Sequence, residues 1–318
     1  MSKRISIIGS GQVGSRVGAE LIGYGNKVIF YDVVEKPELI EEYADIFTTD
    51  IHRAIVDTDI SIITVPTNLA EGGRHFDYSH LMAAARACGE VLKEKGKHHD
   101  FVLKSTVTPG TTEKFEFKIR EASGYNLEND EHYDEDLEPV QNFGMVHNPE
   151  FLTVISDTWT KRPEFVITPV NEGRIVVGPT ESTPHKILYN LEELYKPLGV
   201  PLYVTKNSAT SESVKLAANS RLALAVSFNN QITELLKNAN EKKNLNIDVD
   251  EVVKLVHLDP RIGFYGSVFG KAYGGPCFKK DLPVFAQWIK EATGKQATLI
   301  EETIGVNNMM TELYGVRE

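Results

Sequence analysis

Gly9-Ser10-Gly11-Gln12-Val13-Gly14 follows directly on the apolar run Ile5–Ile8 and opens a stretch of helical periodicity. The G-x-G-x-x-G spacing is common by itself, so its setting carries the reading. A strand precedes it, a helix follows it, and Asp32 closes the next apolar run, Val28–Asp32. In that setting the glycines have separate tasks: a tight turn, close backbone approach to a pyrophosphate, and close packing of helix on strand. The unpaired N–H groups at the helix N-terminus and the helix dipole favour an anion there. Asp32 would accept hydrogen bonds from the adenosine ribose hydroxyls and repel a 2′-phosphate, which predicts NAD rather than NADP. A glycine-rich turn that binds nothing, or binds FAD, is the competing reading. Strand, spacing and acid together favour NAD, with Gly9, Gly11, Gln12, Val13, Gly14 and Asp32 as its contacts.

Working outward, further β-branched runs at Ser61–Val65, Phe101–Lys104, Gly144–His147, Ile175–Val177 and Leu202–Val204 alternate with helical stretches. That alternation predicts βαβ units. Near-continuous apolar strands are those covered on both faces. The fold class is therefore α/β, a Rossmann-type doubly wound parallel sheet. From Ser208 to about Ala239 no Pro or Gly interrupts one long helix, which would span on the order of 45 Å. We place an NAD-binding domain at 1–206 and a mostly helical central domain at 207–318, with the long helix joining domains or forming a subunit interface. The acidic stretch 121–141 has few apolar anchors and reads as a solvated loop, with an interaction loop as the alternative.

Bulk composition narrows the function. The chain has 318 residues, 41% of them hydrophobic, and a formal charge of −11. That balance argues against a nucleic-acid binder, which needs a basic stripe. No apolar run approaches the roughly 20 residues of a membrane-spanning helix. The first apolar run ends at Gly9 without a small-residue cleavage site, so it reads as a buried strand rather than a signal peptide. Two cysteines, Cys88 and Cys277, allow at most one disulfide, which fits a cytoplasmic enzyme better than a secreted scaffold.

Five further segments carry a resemblance. They are Lys104-Ser105-Thr106-Val107-Thr108-Pro109-Gly110-Thr111-Thr112, Asn148-Pro149-Glu150-Phe151-Leu152, Ser211-Glu212-Ser213-Val214-Lys215-Leu216-Ala217-Ala218-Asn219, Asp259-Pro260-Arg261-Ile262-Gly263 and Tyr273-Gly274-Gly275-Pro276-Cys277-Phe278-Lys279-Lys280-Asp281. In this order, over nearly the whole chain, they resemble the UDP-glucose/GDP-mannose 6-dehydrogenase family. The resemblance implies oxidation of the C6 alcohol of a nucleotide sugar to a carboxylate in two hydride transfers. The second oxidation needs a covalent adduct, and a thiolate is both a strong nucleophile and a competent leaving group. By resemblance Cys277 forms a thiohemiacetal and then a thioester.

The remaining roles are also what the resemblance implies. Lys215 and Asn219, four apart on the predicted helix and hence on one face, would stabilise charge developing on the C6 oxygen. Their spacing recurs in hydroxyacid dehydrogenases, so the pair supports a dehydrogenase without specifying one. Asp281 looks like the water-positioning or basic group, Glu150 like the acid handling protons around thioester hydrolysis, and Thr106 like the residue holding a water and the nicotinamide end. Val65, Pro66, Thr67, Ser105 and Lys280 complete the implied cofactor contacts. Phe151, Leu152, Arg261 and Gly274 are the implied substrate contacts, with Arg261 reaching across a subunit boundary of a homodimer. No metal is implied. Cys88, on an apolar helix, reads as a core residue, and Glu212 and Asp259 as structural acids, a cap or a turn partner.

The chain departs from the family pattern in three places. Val154 stands where a second glutamate is usual. The segments around 121–141 and 156–172 are longer than usual. The sequence stops at Glu318, before the third α/β unit that binds the nucleotide in the family, so nucleotide binding would fall to the second domain, a subunit partner or a separate protein. Two other functions compete: a two-electron hydroxyacid-type dehydrogenase with Cys277 idle, and a non-catalytic NAD-binding paralogue that needs a partner.

Overall fold

The computed structural model describes residues 2–124, 143–153 and 173–317. The greater part of the acidic stretch, Val154 and the segment 156–172 lie outside the described residues. The strands are β1 (Arg4–Ile8), β2 (Lys27–Tyr31), β3 (Phe47–Thr48), β4 (Ile60–Ile63), β5 (Asn68–Leu69), β6 (Phe76–Asp77), β7 (His99–Leu103), β8 (Phe143–His147), β9 (Ile175–Pro179) and β10 (Leu202–Val204). The helices are α1 (Gln12–Gly23), α2 (Pro37–Tyr43), α3 (Ile51–Val56), α4 (Ser79–Lys95), α5 (Thr111–Ser123), α6 (His185–Tyr195), α7 (Ser208–Lys243), α8 (Val249–Val256), α9 (Pro276–Thr293) and α10 (Thr298–Tyr314). Eight strands form one sheet in the order β10-β9-β8-β7-β4-β1-β2-β3, and β5 and β6 pair separately.

The apolar runs become strands because helices cover both faces. Ile5, Ile7, Phe30, Ile60, Ile62 and Val146 point to one side, where Val17 and Leu21 of α1 and Ile187 and Leu191 of α6 pack on them. Ile8, Ile63, Phe101, Leu103, Phe143 and Met145 point to the other, against Ala54 and Ile55 of α3, Leu81, Ala85 and Leu92 of α4 and Phe115 and Ile119 of α5. Each large apolar side chain so buried contributes roughly 1.5–3 kcal/mol relative to exposure. Register follows the pleat, with Ile5 beside Val28 on one side and beside Ile60 on the other. The sheet is parallel with one exception. β8 and β9 run antiparallel, Val146 opposite Pro179 and His147 opposite Gly178. An antiparallel addition to a parallel sheet is common where one end leaves the βαβ rhythm.

The chain divides into two compact units. The first holds 2–68, 77–124, 143–152 and 173–215 of the described residues, and the second holds 69–76, Thr153 and 216–317. The long helix α7 has 36 residues, about 54 Å at 1.5 Å per residue, and the division falls within it. In the second unit Ala223 and Val226 of α7 pack with Tyr273 and Leu282. Its long buried amides pin the loop after α8: Asn229 Nδ2 donates to Gly266 O at 2.9 Å, and Asn230 Oδ1 accepts from Gly270 N at 2.8 Å.

In the first unit β1 lies between β2 and β4, and the connection leaving β1 passes over one face of the sheet through α1 while the one leaving β4 passes over the other through α4. In an open α/β sheet that divergence opens a crevice at the carboxyl ends of the strands, where ligands bind. The sequence motifs sit at those ends: Gly9–Gly14 after β1, Asp32 after β2, Val65–Thr67 after β4 and Ser105–Thr106 after β7.

Candidate active site

The first unit contains a cradle suited to a dinucleotide. Gly9 has φ +94°, a conformation open to glycine, and a Cβ there would meet Val65 N at 2.9 Å. A Cβ on Gly14 would lie 2.4 Å from Gly9 O and 2.6 Å from Thr64 Oγ1, so α1 can approach the strands only with glycine at that position. Thr64 Oγ1 donates to Gly9 O at 2.6 Å and fixes the turn. Gly11 is the N-cap of α1, and no side chain caps this helix. A Cβ on Gly11 would meet nothing within 4 Å. An open, uncapped helix N-terminus beside a glycine turn is what a diphosphate requires. Gln12 is exposed and Val13 half-buried in this first turn.

The flanking loops are tied to one another. Ser105 Oγ donates to Val65 O at 2.6 Å, and Thr67 Oγ1 donates to Thr106 O at 2.7 Å. The structure thus brings Gly9–Gly14, Val65, Pro66, Thr67, Ser105 and Thr106 to neighbouring strand ends. Asp32 accepts from Val34 N at 3.3 Å and faces Lys36 Nζ at 3.4 Å. Sequence reading missed Lys36, because residues 32–36 are not helical and no periodicity pairs it with the acid.

Also within the first unit, Lys215 and Glu150 form a buried pair, 4% and 8% exposed. Lys215 Nζ donates to Glu150 O at 2.5 Å and lies 3.4 Å from Glu150 Oε1. Glu150 Oε2 accepts from Leu152 N at 2.7 Å, which turns the backbone back on the carboxylate. The Phe151 ring carries a cation on its face, Lys215 Nζ at 5.3 Å and the Arg174 guanidinium at 4.4 Å from its centroid. Arg174 was not foreseen from the sequence. Just before this turn, Lys104 Nζ and Tyr195 Oη both donate to Asn148 Oδ1, at 3.0 and 2.7 Å.

The second unit holds the other group of reactive residues. Cys277 is half-buried and lies in the first turn of α9, whose N-cap is Gly275 at φ +73°. Unpaired N–H groups and the helix dipole favour an anion at that position. One turn further along, Asp281 is 1% exposed. Its Oδ2 accepts from Asn219 Nδ2 at 2.6 Å, and its Oδ1 accepts from Lys280 Nζ at 2.7 Å. Lys280 Nζ also lies 4.7 Å from the centroid of Phe76. A carboxylate held between an amide and an ammonium is oriented and charge-compensated, as a water-positioning group must be. Arg261 is exposed and pairs with Asp259 at 2.6 Å, so the latter is a turn partner. Gly274 has a packing reason of its own, since a Cβ there would lie 2.0 Å from Arg317 O.

The other cysteine has no such setting. Cys88 is fully buried on α4, and burial pushes its thiol up to about 12. Among the described residues no group of three or more His, Cys, Asp or Glu side chains could hold a metal ion, and no helix is long and apolar enough to cross a membrane.

A mostly parallel sheet with a dinucleotide cradle at its carboxyl ends defines a Rossmann-type dinucleotide-binding class. The sequence matches the UDP-glucose/GDP-mannose dehydrogenase family in its NAD binding domain over residues 38–199 and in its central domain over 209–309. The chain belongs to that family. It is 33% identical to the UDP-glucose 6-dehydrogenase TuaD of Bacillus subtilis over 329 aligned positions, covering 96% of this chain and 63% of that protein. It is 28% identical to the GDP-mannose 6-dehydrogenase of Pseudomonas aeruginosa, covering 88% of this chain and 62% of the relative. The solved UDP-glucose dehydrogenase of Pyrobaculum islandicum superposes with a TM-score of 0.79 at 27% identity, over 98% of this chain and 69% of that one. The chain thus spans about two thirds of the length of these relatives.

Proposed function

We propose that this protein is an NAD-dependent dehydrogenase that oxidises the C6 alcohol of a nucleotide sugar to the carboxylate in two steps through Cys277. The observation that carries the reading is the geometry of the second unit: Cys277 in the first turn of α9, one turn from a buried Asp281 that grips Asn219. Gly9–Gly14 and Asp32 would hold NAD, which would supply the hydride acceptor for each oxidation. Lys215 and Asn219 stabilise negative charge on the C6 oxygen as its proton leaves. The Cys277 thiolate then adds to the aldehyde carbon, and the resulting thiohemiacetal carbon again carries a hydrogen that can depart as hydride. That departure leaves a thioester. Asp281 positions water, and Glu150 takes the proton as the water oxygen bonds to the acyl carbon. The C–S bond breaks and the thiolate is regenerated. Per alcohol, two NAD and one water yield one carboxylate, two NADH and three protons. Phe151, Leu152, Arg261 and Gly274 hold the sugar nucleotide.

The relatives are named for UDP-glucose and GDP-mannose, and a substrate of that class suits an apolar, cation-lined turn such as 150–152. The test is NADH release from purified protein with excess NAD and a panel of UDP- and GDP-sugars, counted against acid formed. Two NADH per acid is the expected result. One NADH per substrate, with a carbonyl product, would replace this reading by a two-electron dehydrogenase. NAD binding without turnover would point to a further protein component that completes the nucleotide site.

The reading includes a homodimer packed along α7 and a cytoplasmic location. Phe228 and Leu235 on this helix are 54% and 57% exposed, as are Leu258, Ile262 and Phe264 at about half. Phe228 and Leu235, two turns apart on one face of α7, support packing of a second copy along this helix. Light scattering at micromolar concentration is expected to give twice the chain mass of 35.5 kDa, and a monomer would remove this part of the proposal.

A further inference from the structure

Glu212 lies on α7 one turn before Lys215 and is fully buried. Both its oxygens are engaged. Oε2 accepts from Gly110 N at 2.6 Å, and Oε1 accepts from Thr112 N at 2.7 Å and from Thr112 Oγ1 at 2.6 Å. These donors lie at the start of α5, two backbone N–H groups and one hydroxyl, and the helix's own N-cap is Gly110 at φ +89° with no side-chain cap. A left-handed conformation there disfavours the serine, threonine or aspartate that would otherwise cap the helix. The cap comes instead from a residue 100 positions away.

A buried carboxylate is a costly way to cap a helix. Burial pushes the Glu212 carboxyl up from the ordinary range, and the donors from Thr112 and Gly110 pull it back only in part. What a remote carboxylate adds, and a local cap would not, is a fixed tie between two segments. The loop before α5 is held at its start by Ser105 on Val65 O and by Thr67 on Thr106 O. It is held in its middle by Tyr78 Oη, which accepts from Thr108 N at 2.8 Å. Glu212 holds its far end and joins it to the turn of α7 that carries Lys215. Asp32 sits on the β2 side of β1, and the loops after β4 and β7 sit on the other side. A dinucleotide crossing the crevice with its adenosine at Asp32 places its nicotinamide half over those loops.

We propose that Glu212 is a positioning residue whose carboxylate fixes the 105–110 loop against α7 and so registers the nicotinamide half of the cofactor relative to Lys215. It touches no reactant and acts through the loop. Only the kinetic part of its test rests on the dehydrogenase reading above.

The test compares wild type with Glu212→Gln, in which an amide N–H₂ replaces one acceptor at equal volume, and with Glu212→Asp. Calorimetry is run with NAD and with ADP-ribose, which lacks the nicotinamide. Glu212→Gln is expected to bind ADP-ribose as wild type does and to lose most of the preference for NAD. Amide exchange is expected to speed up at Gly110 and Thr112 but not in β1. Turnover should fall about 10²-fold, the scale of a 1 Å misplacement, with KM for the sugar nucleotide unchanged. Glu212→Asp, which keeps the charge, should recover part of the NAD preference. The proposal is overturned if Glu212→Gln keeps that preference, if it weakens both ligands equally, or if wild type shows no preference at all. A wild type that turns over no sugar nucleotide would defeat the functional reading, while the calorimetry would still decide the role of Glu212.

Discussion

Cys277→Ala is expected to abolish acid formation while leaving NAD affinity nearly unchanged. The two effects separate because the groups involved lie in different parts of the chain. The cradle proposed for the cofactor comprises Gly9–Gly14, Asp32 and the loops after β4 and β7, all in the first unit, whereas Cys277 belongs to α9 of the second. In the proposed reaction, loss of the thiolate leaves Lys215 and Asn219 for the first oxidation, but the aldehyde carbon has no sulfur to make it tetrahedral again. Loss of a nucleophile that acts as part of a unit typically costs several orders of magnitude, so acid yield should fall by on the order of 10³-fold or more. Cys88 cannot substitute, because it is fully buried and its thiol is pushed up to about 12. Chromatographic quantitation of acid, with NAD titration calorimetry on the same sample, checks both parts. Wild-type acid yield in the variant would refute the covalent route. Loss of NAD binding would mean that the substitution has disturbed more than the thiol.

The parts of the fold that were legible in the sequence are those fixed by local composition. β1, β4, β7 and β8 lie in the covered middle of the sheet, so each shows as a mainly apolar run, and their observed bounds lie within a few residues of the expected ones. The glycine motif was legible because each glycine answers a contact within a short span, such as Gly14 against Gly9 O. What was not legible depends on chain segments far apart. The strands β3, β5 and β6 are two residues long and too short to show a period. The antiparallel junction of β8 and β9 leaves no trace in composition, since burial dictates residue type but not direction. Helix α7 runs to Lys243, beyond the expected Ala239, and stops where Asn244 takes φ +52°. An asparagine able to adopt that conformation is a recognisable stop, and the signal was available. For the site, residue types were legible and pairings were not. Glu212 read as a cap, but nothing local names Thr112 as its partner. Lys280 read as a cofactor contact, and nothing local foretold that its Nζ donates to the adjacent Asp281.

Stability is expected to fall steeply as pH drops below 6.5, because two neutral histidines are sealed in the first unit. His147 on β8 is fully buried, with Nδ1 2.9 Å from Ser211 Oγ, and burial pushes it down to about 3. His99 on β7 is also fully buried and held well below its ordinary value, first by burial and then by the Lys95 ammonium. Its Nδ1 accepts from Lys95 Nζ at 2.7 Å, and its Nε2 lies 2.7 Å from Ser61 Oγ. With Nδ1 accepting, the remaining proton sits on Nε2, and a second proton would have to displace the ammonium contact. Both groups bind protons more weakly in the folded than in the unfolded chain. Their contribution is therefore complete above pH 6.5 and is lost as pH falls toward 3. Each histidine gives a slope of up to about 1.4 kcal/mol per pH unit, and the pair up to about 2.7. Over two pH units His147, held down at about 3, alone removes roughly 2.5 kcal/mol, and His99 adds to the loss in the same direction. Glu212 and Glu113 work in the opposite sense, since burial raises both. Urea midpoints between pH 7.5 and 5 measure the slope, and His147→Gln should remove close to half of it. The comparison of slopes is insensitive to any fixed cost of the substitution. An unchanged slope in His147→Gln would show that proton uptake elsewhere drives acid unfolding.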